Sequence, residues 1–236
     1  MHSRRWTPAL LFMVLFAMQS TLSNAEPIGV AATVKPNAEG GVGTNLRTLS
    51  PGSELHAKDT VRTGKVGQAD LVFIDSTNLT VGPTSEVVLD EFVYDPTGTS
   101  GKVVMQATRG AFRFVTGKQD HRAYALKTPY GTLGVRGTVV KVDVLDPKEK
   151  RRRRGECDVK VTVEQGEGEF TLKDPDTGEL KTHRVRQGQS ICVSNGKVTY
   201  STANAQPPGG PPSGGVTPIP PQQCGSPATP GCTQNQ

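Results

Sequence analysis

The chain has 236 residues and a formal net charge of +5, and only 34% of its residues are hydrophobic and 5% aromatic. This length suits one domain of ordinary size, with a core built mainly from aliphatic side chains. After residue 25 no apolar run is long enough for a transmembrane helix, which excludes a helical membrane protein as the mature chain.

A secretory signal is indicated at the start of the chain, over residues 1–25. Arg4 and Arg5 give it a positive beginning, Ala9 to Ala17 form an apolar centre, and Ser23-Asn24-Ala25 is a small-residue cleavage site. We therefore predict cleavage near Ala25 and a periplasmic or secreted location. Because an exported chain rarely meets nucleic acid, we predict no nucleic-acid partner.

Short strands are indicated from residue 26 to about residue 200, because turn residues interrupt the alternating apolar pattern every eight to twelve positions. We predict an all-β domain of about a dozen strands. Glycines punctuate the predicted strands: a glycine-rich stretch (Gly40, Gly41 and Gly43) follows the first strand, and Gly110 and Gly117 bracket a strand with Phe112 and Phe114. Periodicity alone does not distinguish a sandwich, a barrel or a solenoid.

Three glycines at intervals of three residues, Gly131, Gly134 and Gly137, punctuate the most distinctive stretch of the chain, residues 128–138. A dinucleotide-binding loop needs the spacing G-x-G-x-x-G between a strand and a helix. Here the spacing is G-x-x-G-x-x-G, and the β-branched run Val139–Val144 that follows predicts a strand. We therefore predict no nucleotide and no other cofactor, and we interpret the glycines as turn or close-packing positions.

Four segments together carry a recognisable pattern: Asp59–Gly64, Ala69–Asp75, Leu79–Ser85 and Thr128–Thr138. The pattern resembles the signature of FecR-type domains, which are periplasmic modules of iron-siderophore signalling regulators and of other envelope proteins. The resemblance covers about residues 55–145. Two departures fall at turns, where Lys58 and Ser76-Thr77 replace the usual Gly and Gly-Ser.

The resemblance implies a twisted solenoid-like fold or stacked antiparallel sheets, with a β-sandwich as the alternative. It gives a structural or recognition role to Asp59, Asp75, Thr128, Pro129, Gly131, Gly134, Val135, Arg136, Gly137 and Thr138. We expect Pro129 to stiffen the turn and Val135 to point inward. We expect the Arg136 guanidinium to tie neighbouring turns together through carbonyl groups or through a carboxylate such as Asp59 or Asp75.

The predicted organisation has five parts: a signal peptide (1–25), a FecR-type β domain (26–145), a basic loop (146–156), a β extension packed on the same domain (157–200) and a disordered Pro/Gly-rich tail (201–236). The basic loop reads most simply as a solvated surface loop. The alternative is contact with an anionic envelope surface, such as lipopolysaccharide phosphates, through Lys150, Arg151, Arg152, Arg153 and Arg154.

Four cysteines in an exported chain indicate disulfides, and three pairings are possible. Cys157 and Cys192 both lie in predicted strands, and Cys224 and Cys232 both lie in the tail, so we favour the pairs 157 with 192 and 224 with 232. Neither C-x-x-C nor paired histidines occur, so we predict no metal site.

Catalytic chemistry has few candidate residues. Asp59, Asp70, Asp75 and Asp90 could serve as paired acids for hydrolysis, but each flanks a turn, where aspartate bonds backbone amides. We predict a non-catalytic envelope module for binding or sensing. The resemblance implies a periplasmic or outer-membrane protein partner, contacted through an exposed strand edge. The alternatives are a structural module that binds envelope glycan or anionic lipid, and a hydrolase.

Overall fold

The structure, a computed structural model, describes residues 26–97, 100–148 and 156–202. The predicted signal peptide, the arginines of the basic loop, Cys224, Cys232 and the tail beyond residue 202 lie outside the described residues. No helix in the described part of the chain is both long enough and apolar enough to cross a membrane.

The described chain is built almost entirely of β-strands, which confirms the all-β prediction. The strands are β1 (Gly29–Lys35), β2 (Ala38–Val42), β3 (Asn45–Thr48), β4 (Glu54–Leu55), β5 (Thr60–Thr63), β6 (Gln68–Phe73), β7 (Asn78–Val81), β8 (Glu86–Val93), β9 (Lys102–Val115), β10 (Tyr124–Thr128), β11 (Gly131–Val144), β12 (Val159–Lys173), β13 (Leu180–Arg186), β14 (Gln189–Ser194) and β15 (Lys197–Thr202). A 3-10 turn at His121–Ala123 precedes β10. The number of strands exceeds our prediction partly because β2 runs through the glycine-rich stretch that follows the first predicted strand.

Three strands are much longer than the others: β9 and β11 have 14 residues each, and β12 has 15. Each of them changes partners near its middle. The first part of β9 pairs with β8 and β10, whereas its second part pairs with β7 and β11. In the same way β11 and β12 stay paired with each other throughout but exchange their outer neighbours.

These partner changes fold one hydrogen-bonded sheet into two layers. The first layer has the order β3-β2-β5-β8-β9-β10-β11-β12-β13, and the second has the order β4-β1-β6-β7-β9-β11-β12-β14-β15. After β9 has passed into the second layer, the chain returns to the first layer beside the beginning of β9. There β10 runs in the same direction as β9, so the β9–β10 pair is parallel. The other strand pairs of the described residues are antiparallel, so the arrangement corresponds to the stacked-sheet form of our prediction.

A glycine with positive φ lies at each crossing between the layers: Gly110 at +101°, Gly137 at +54° and Gly166 at +82°. Glycine adopts these φ values without the steric cost of a Cβ atom, and the strand bends there as at a β-bulge. The prediction that Gly110 ends a strand is therefore wrong, because β9 runs through it. Of the two interpretations of Gly131, Gly134 and Gly137, separate turns are wrong, because all three lie within β11, whereas close packing holds at Gly131, where a Cβ atom would lie 2.7 Å from the Phe170 ring.

The hydrophobic core lies between the two layers, because alternate residues of the strands point into the gap. Two aromatic contacts cross this gap. Phe73 stacks on Phe92 with ring centroids 5.5 Å apart, and Phe114 meets Tyr124 edge-on at 6.0 Å. Phe170, from the predicted extension, belongs to the same core and is fully buried.

The predicted disulfide between Cys157 and Cys192 is confirmed, with the two Cα atoms 5.3 Å apart. It joins Cys157, two residues before the start of β12, to Cys192 in β14 across the second layer. The two cysteines are 35 residues apart in sequence. On a loop-entropy estimate, a closure of this length stabilises the folded chain by roughly 3–4 kcal/mol.

Candidate functional site

Asp75, in the turn between β6 and β7, is the centre of a buried hydrogen-bond cluster. Its side chain has no exposed surface. Oδ1 accepts from the Thr77 amide at 2.9 Å, and Oδ2 accepts from the Thr77 hydroxyl at 2.7 Å and the Tyr124 hydroxyl at 2.9 Å. The Tyr124 oxygen in turn accepts from the Gln119 amide at 2.9 Å. The cluster joins a turn of the second layer to β10 in the first.

Burial raises the pKa of Tyr124 to about 12, so the phenol keeps its proton and donates to Asp75 at physiological pH. Both carboxylate oxygens of Asp75 are engaged by these donors and neither reaches solvent. A catalytic acid or base must come within hydrogen-bond reach of a substrate. Asp75 therefore holds the fold together and has no route to hydrolytic chemistry in this geometry.

Asp59 is also buried and also serves the local backbone. It is 2% exposed, and its Oδ2 accepts from the His56 amide at 3.0 Å. The Asp59 carbonyl accepts from the Leu89 amide at 2.8 Å, which attaches the turn to β8. These contacts fix the turn that precedes β5.

The two departures from the FecR-type pattern keep the backbone conformation of glycine. Lys58 has φ +71° and Ser76 has φ +70°, in the left-handed region that costs a residue with a Cβ atom about 1–2 kcal/mol. The Lys58 side chain gains an ion pair with Asp90, with Nζ 2.7 Å from Oδ1. The Ser76 side chain is exposed and forms no hydrogen bond with the residues that the structure describes.

We expect the substitution Ser76→Gly to raise the free energy of unfolding by about 0.5–1 kcal/mol, because it removes the left-handed strain at no cost in contacts. Guanidinium denaturation measures the change. The matched control is Ser201→Gly in β15, where the backbone is extended and glycine should be neutral or destabilising. Equal effects of the two substitutions would contradict the strain at Ser76.

Thr63 and Ser85 link two segments of the FecR-type pattern, Asp59–Gly64 and Leu79–Ser85, through a side-chain hydrogen bond. The Thr63 hydroxyl oxygen accepts from the Ser85 amide at 2.9 Å, and the Ser85 hydroxyl oxygen accepts from the Ala111 amide at 3.0 Å. A Cβ atom built on Gly110 would lie 2.5 Å from the Ser85 Cα. The first crossing between the layers is therefore packed directly against Ser85, which explains the glycine at that position.

Thr128 and Thr138 hold the two ends of the signature stretch. The Thr128 hydroxyl oxygen accepts from the Gly131 amide at 3.1 Å. The Thr138 amide donates to the Thr116 hydroxyl at 2.9 Å, and the Thr138 hydroxyl donates to the Glu167 carbonyl at 2.9 Å. Both threonines thus use their polar groups inside the protein.

Arg136 differs from the rest of the signature. Pro129 lies in the turn between β10 and β11, and Val135 is buried in the core. Arg136 is exposed on the outer face of the first layer, and its guanidinium forms no hydrogen bond or ion pair with any residue that the structure describes. Our hypothesis of a tie to Asp59 or Asp75 is therefore wrong, because strand alternation turns Arg136 outward while both carboxylates are buried.

A second exposed arginine lies near Arg136 on the same face. In the register of the first layer, Glu167 of β12 is opposite Arg136, and Arg186 of β13 is on the other side of Glu167. Arg184 engages both Glu167 and Glu169 at 3.1 Å. Within the described residues Arg136 and Arg186 therefore remain without an ion-pair partner, and we call these two residues the arginine pair.

A groove of about 740 Å³ opens near the basic loop, at the end of β11 and beside the Gly110 crossing of β9. Its lining mixes cations with acids. The Lys148 amide donates to Asp146 at 2.8 Å and the Arg109 guanidinium donates at 3.0 Å, and these bonds hold the pKa of Asp146 below its ordinary value. Because basic and acidic side chains lie together in the lining, the groove does not favour a ligand of either charge.

Residues 59–167 match the family model described as FecR protein. This chain carries a FecR domain. The match includes both buried carboxylates, the Thr63–Ser85 link and the whole signature stretch, and so confirms the resemblance seen in the sequence. It ends within β12, so the FecR domain contains the crossings of all three long strands.

Two crystal structures of a candidate anti-sigma factor from Parabacteroides distasonis, at 2.50 and 1.65 Å resolution, are similar to this FecR-domain chain. Each is 13% identical, with TM-scores of 0.44 and 0.43. The aligned part covers 61% of this chain and 59% of that protein, so the similarity spans about three-fifths of its length. No curated protein shows significant similarity to the chain.

Proposed function

We propose that this protein is a non-catalytic binding or sensing module of the bacterial envelope, and that it contacts a protein partner through Arg136. One observation carries the proposal. Asp59, Asp75, Thr128 and Thr138 direct their polar side chains into the protein, whereas the Arg136 guanidinium is exposed and has no partner in the described part of the chain. A guanidinium offers five N–H donors in a planar fork, which suits the carboxylates and carbonyls of a partner protein.

The resemblance to FecR-type signalling regulators supports a role without catalysis. Three of the four acids considered for hydrolysis, Asp59, Asp75 and Asp90, are also engaged in structure. Asp59 and Asp75 are buried. Asp90 is held by Lys58 at 2.7 Å and by Lys127 at 3.3 Å, and these bonds keep its pKa below the ordinary value. A carboxylate with a lowered pKa is a poor proton donor at neutral pH.

The envelope location is part of the proposal. The signal-peptide pattern of residues 1–25 supports export. The Cys157–Cys192 disulfide supports the same compartment, because structural disulfides persist where the environment is oxidising.

We expect the substitution Arg136→Ala to reduce recovery of the protein partner at least fivefold while the melting temperature stays within about 1 °C of the wild type. An exposed arginine contributes little to stability, but truncating an arginine at the centre of an interface commonly costs more than 1 kcal/mol of binding. Crosslinking in intact cells, followed by mass spectrometry of the proteins recovered with the tagged chain, measures the first quantity. Thermal denaturation of the purified protein measures the second.

The matched control is Arg113→Ala. Arg113 is on the outer face of the second layer and is engaged by Glu164, with Nε 3.0 Å from Oε2, so its loss should leave partner recovery unchanged. Recovery of peptidoglycan or lipopolysaccharide in place of a protein would overturn the proposal and favour a structural envelope module. A large drop in the melting temperature of Arg136→Ala would assign Arg136 to the fold instead.

A further inference from the structure

The first layer ends in an open strand edge at β13. In the described residues β13 pairs only with β12, through seven register positions from Glu167–Arg186 to Lys173–Leu180. The Arg186 amide donates to the Gln189 side chain at 3.0 Å, so it points away from β12. Because amide directions alternate along a strand, the amides of Thr182 and Arg184 also point to the open edge. An extended chain can pair with these groups.

We propose that this edge binds an extended acidic segment of the protein partner as an additional antiparallel strand, with a carboxylate of the segment on Arg186. This inference rests on the proposed function and names the chemistry of the partner. Arg136 and Arg186 both lie on the outer face with β12 between them, so the added strand lies next to Arg186 but about 14 Å from Arg136, which is left to the rest of the partner. Carboxylates at alternate positions of an added strand face the same side as Arg186 and reach it directly.

The charges of β13 select an acidic occupant. The strand contains Lys181, Arg184 and Arg186 and no acidic residue. Lys181 is engaged by Asp174, and Arg184 is engaged by Glu167 and Glu169. Arg186 has no such partner among the described residues. An acidic strand supplies the missing counter-charge, and opposite charges on neighbouring strands are stabilising.

Two other occupants fit less well. A second copy of this chain, paired β13 to β13, would bring basic side chains together, which is destabilising. The chain's own tail, residues 203–236, contains neither Asp nor Glu and is rich in proline, which has no amide to donate to a strand ladder.

The other open edges are less suitable. β3 has four residues and β4 has two, so both offer few backbone groups. β15 has six residues, but Lys197 is its only basic residue. Length and charge together therefore single out β13 among the edges of the described sheet.

The test uses the purified protein and a synthetic nine-residue peptide in which glutamate alternates with valine, with a lysine–valine peptide as its counterpart. We expect the glutamate peptide to bind in fluorescence anisotropy and the lysine peptide not to bind. The substitution Arg186→Glu should weaken binding at least fivefold, and Lys197→Glu on the β15 edge should leave it unchanged. Hydrogen exchange should show slower exchange of the Thr182 and Arg184 amides when the peptide is bound.

A backbone variant tests strand addition separately from charge. Thr182→Pro removes one amide from the open edge, a place where proline is tolerated, and should weaken peptide binding at least fivefold without loss of the folded state by circular dichroism. Equal binding of both peptides, or protection on β15 in place of β13, would overturn the inference.

The outcome also separates this inference from the proposed function. The comparison is made by crosslinking in intact cells that express the Arg186→Glu or the Thr182→Pro variant and measuring the recovery of the protein partner. A protein partner that is recovered with both variants, but lost with Arg136→Ala, leaves the proposed function standing and removes strand addition at β13. Failure of the wild-type chain to recover any protein partner removes the proposed function itself.

Discussion

Replacing Asp75 with alanine should lower the free energy of unfolding by about 4–5 kcal/mol, a large share of the 5–15 kcal/mol that typically stabilises a domain. The substitution leaves three buried donors without an acceptor: the Thr77 amide, the Thr77 hydroxyl and the Tyr124 hydroxyl. Each unsatisfied buried donor costs about 1–3 kcal/mol. Equilibrium denaturation in guanidinium chloride, with the slope checked for two-state behaviour, measures the loss.

The matched control for Asp75 is Asp90→Ala. Asp90 is also an aspartate with two side-chain partners, but its ion pairs with Lys58 and Lys127 lie at the surface, where such pairs contribute about 0.2–1 kcal/mol. Asp75→Asn, which keeps the shape and one carbonyl acceptor, should lose an intermediate amount. Similar losses for Asp75→Ala and Asp90→Ala would show that the buried cluster contributes no more than a surface ion pair.

Replacing Gly110 with alanine should cost about 3–5 kcal/mol. The residue has φ +101°, which is unfavourable for any side chain. The new Cβ atom would also lie 2.5 Å from the Cα and Cβ atoms of Ser85, whose position is fixed by hydrogen bonds to Thr63 and Ala111. Because the contact involves backbone, relief requires the strand to shift. The shift in denaturation midpoint, at unchanged slope, reports the cost.

The substitution Gly137→Ala separates the cost of positive φ from the cost of the contact with Ser85. Gly137 also lies where a long strand crosses between the layers and also has positive φ, at +54°, but a Cβ atom there meets nothing within 4 Å. Its substitution should cost only about 1 kcal/mol, which is the conformational part alone. If the two alanine variants lose the same stability, then packing against Ser85 is not what requires glycine at residue 110.

The strands could be predicted from the sequence because the pattern that indicates a strand is contained in a few neighbouring residues. Alternation of Val140, Val142 and Val144 with polar residues reflects one buried face, and β11 indeed contains them with that alternation. The Cys157–Cys192 pairing was also predictable, because both residues lie in predicted strands of the same half and the other two cysteines lie in the tail.

The layers could not be predicted, because partner choice between distant strands leaves no local periodicity. The sequence predicts a strand end at Gly110, because a glycine at a turn and a glycine at a bend inside a strand look alike in sequence. The outward direction of the Arg136 side chain could be predicted from strand alternation, because Val135 points inward and the next residue of a strand points to the opposite face. Arg186 was not predicted as an exposed arginine, although the same alternation applies to it. Val185, one residue earlier in β13, is apolar and buried, so Arg186 must point outward.

The three long strands have a mechanical consequence for the whole sheet. In a sandwich of separate sheets, the layers can slide or part while each stays intact, because only side chains connect them. Here β9, β11 and β12 carry the backbone from one layer into the other, so relative motion of the layers must break strand pairing in both. A load applied at the edge of one layer is therefore transmitted through continuous main chain, and we expect the two layers to open together as one cooperative unit.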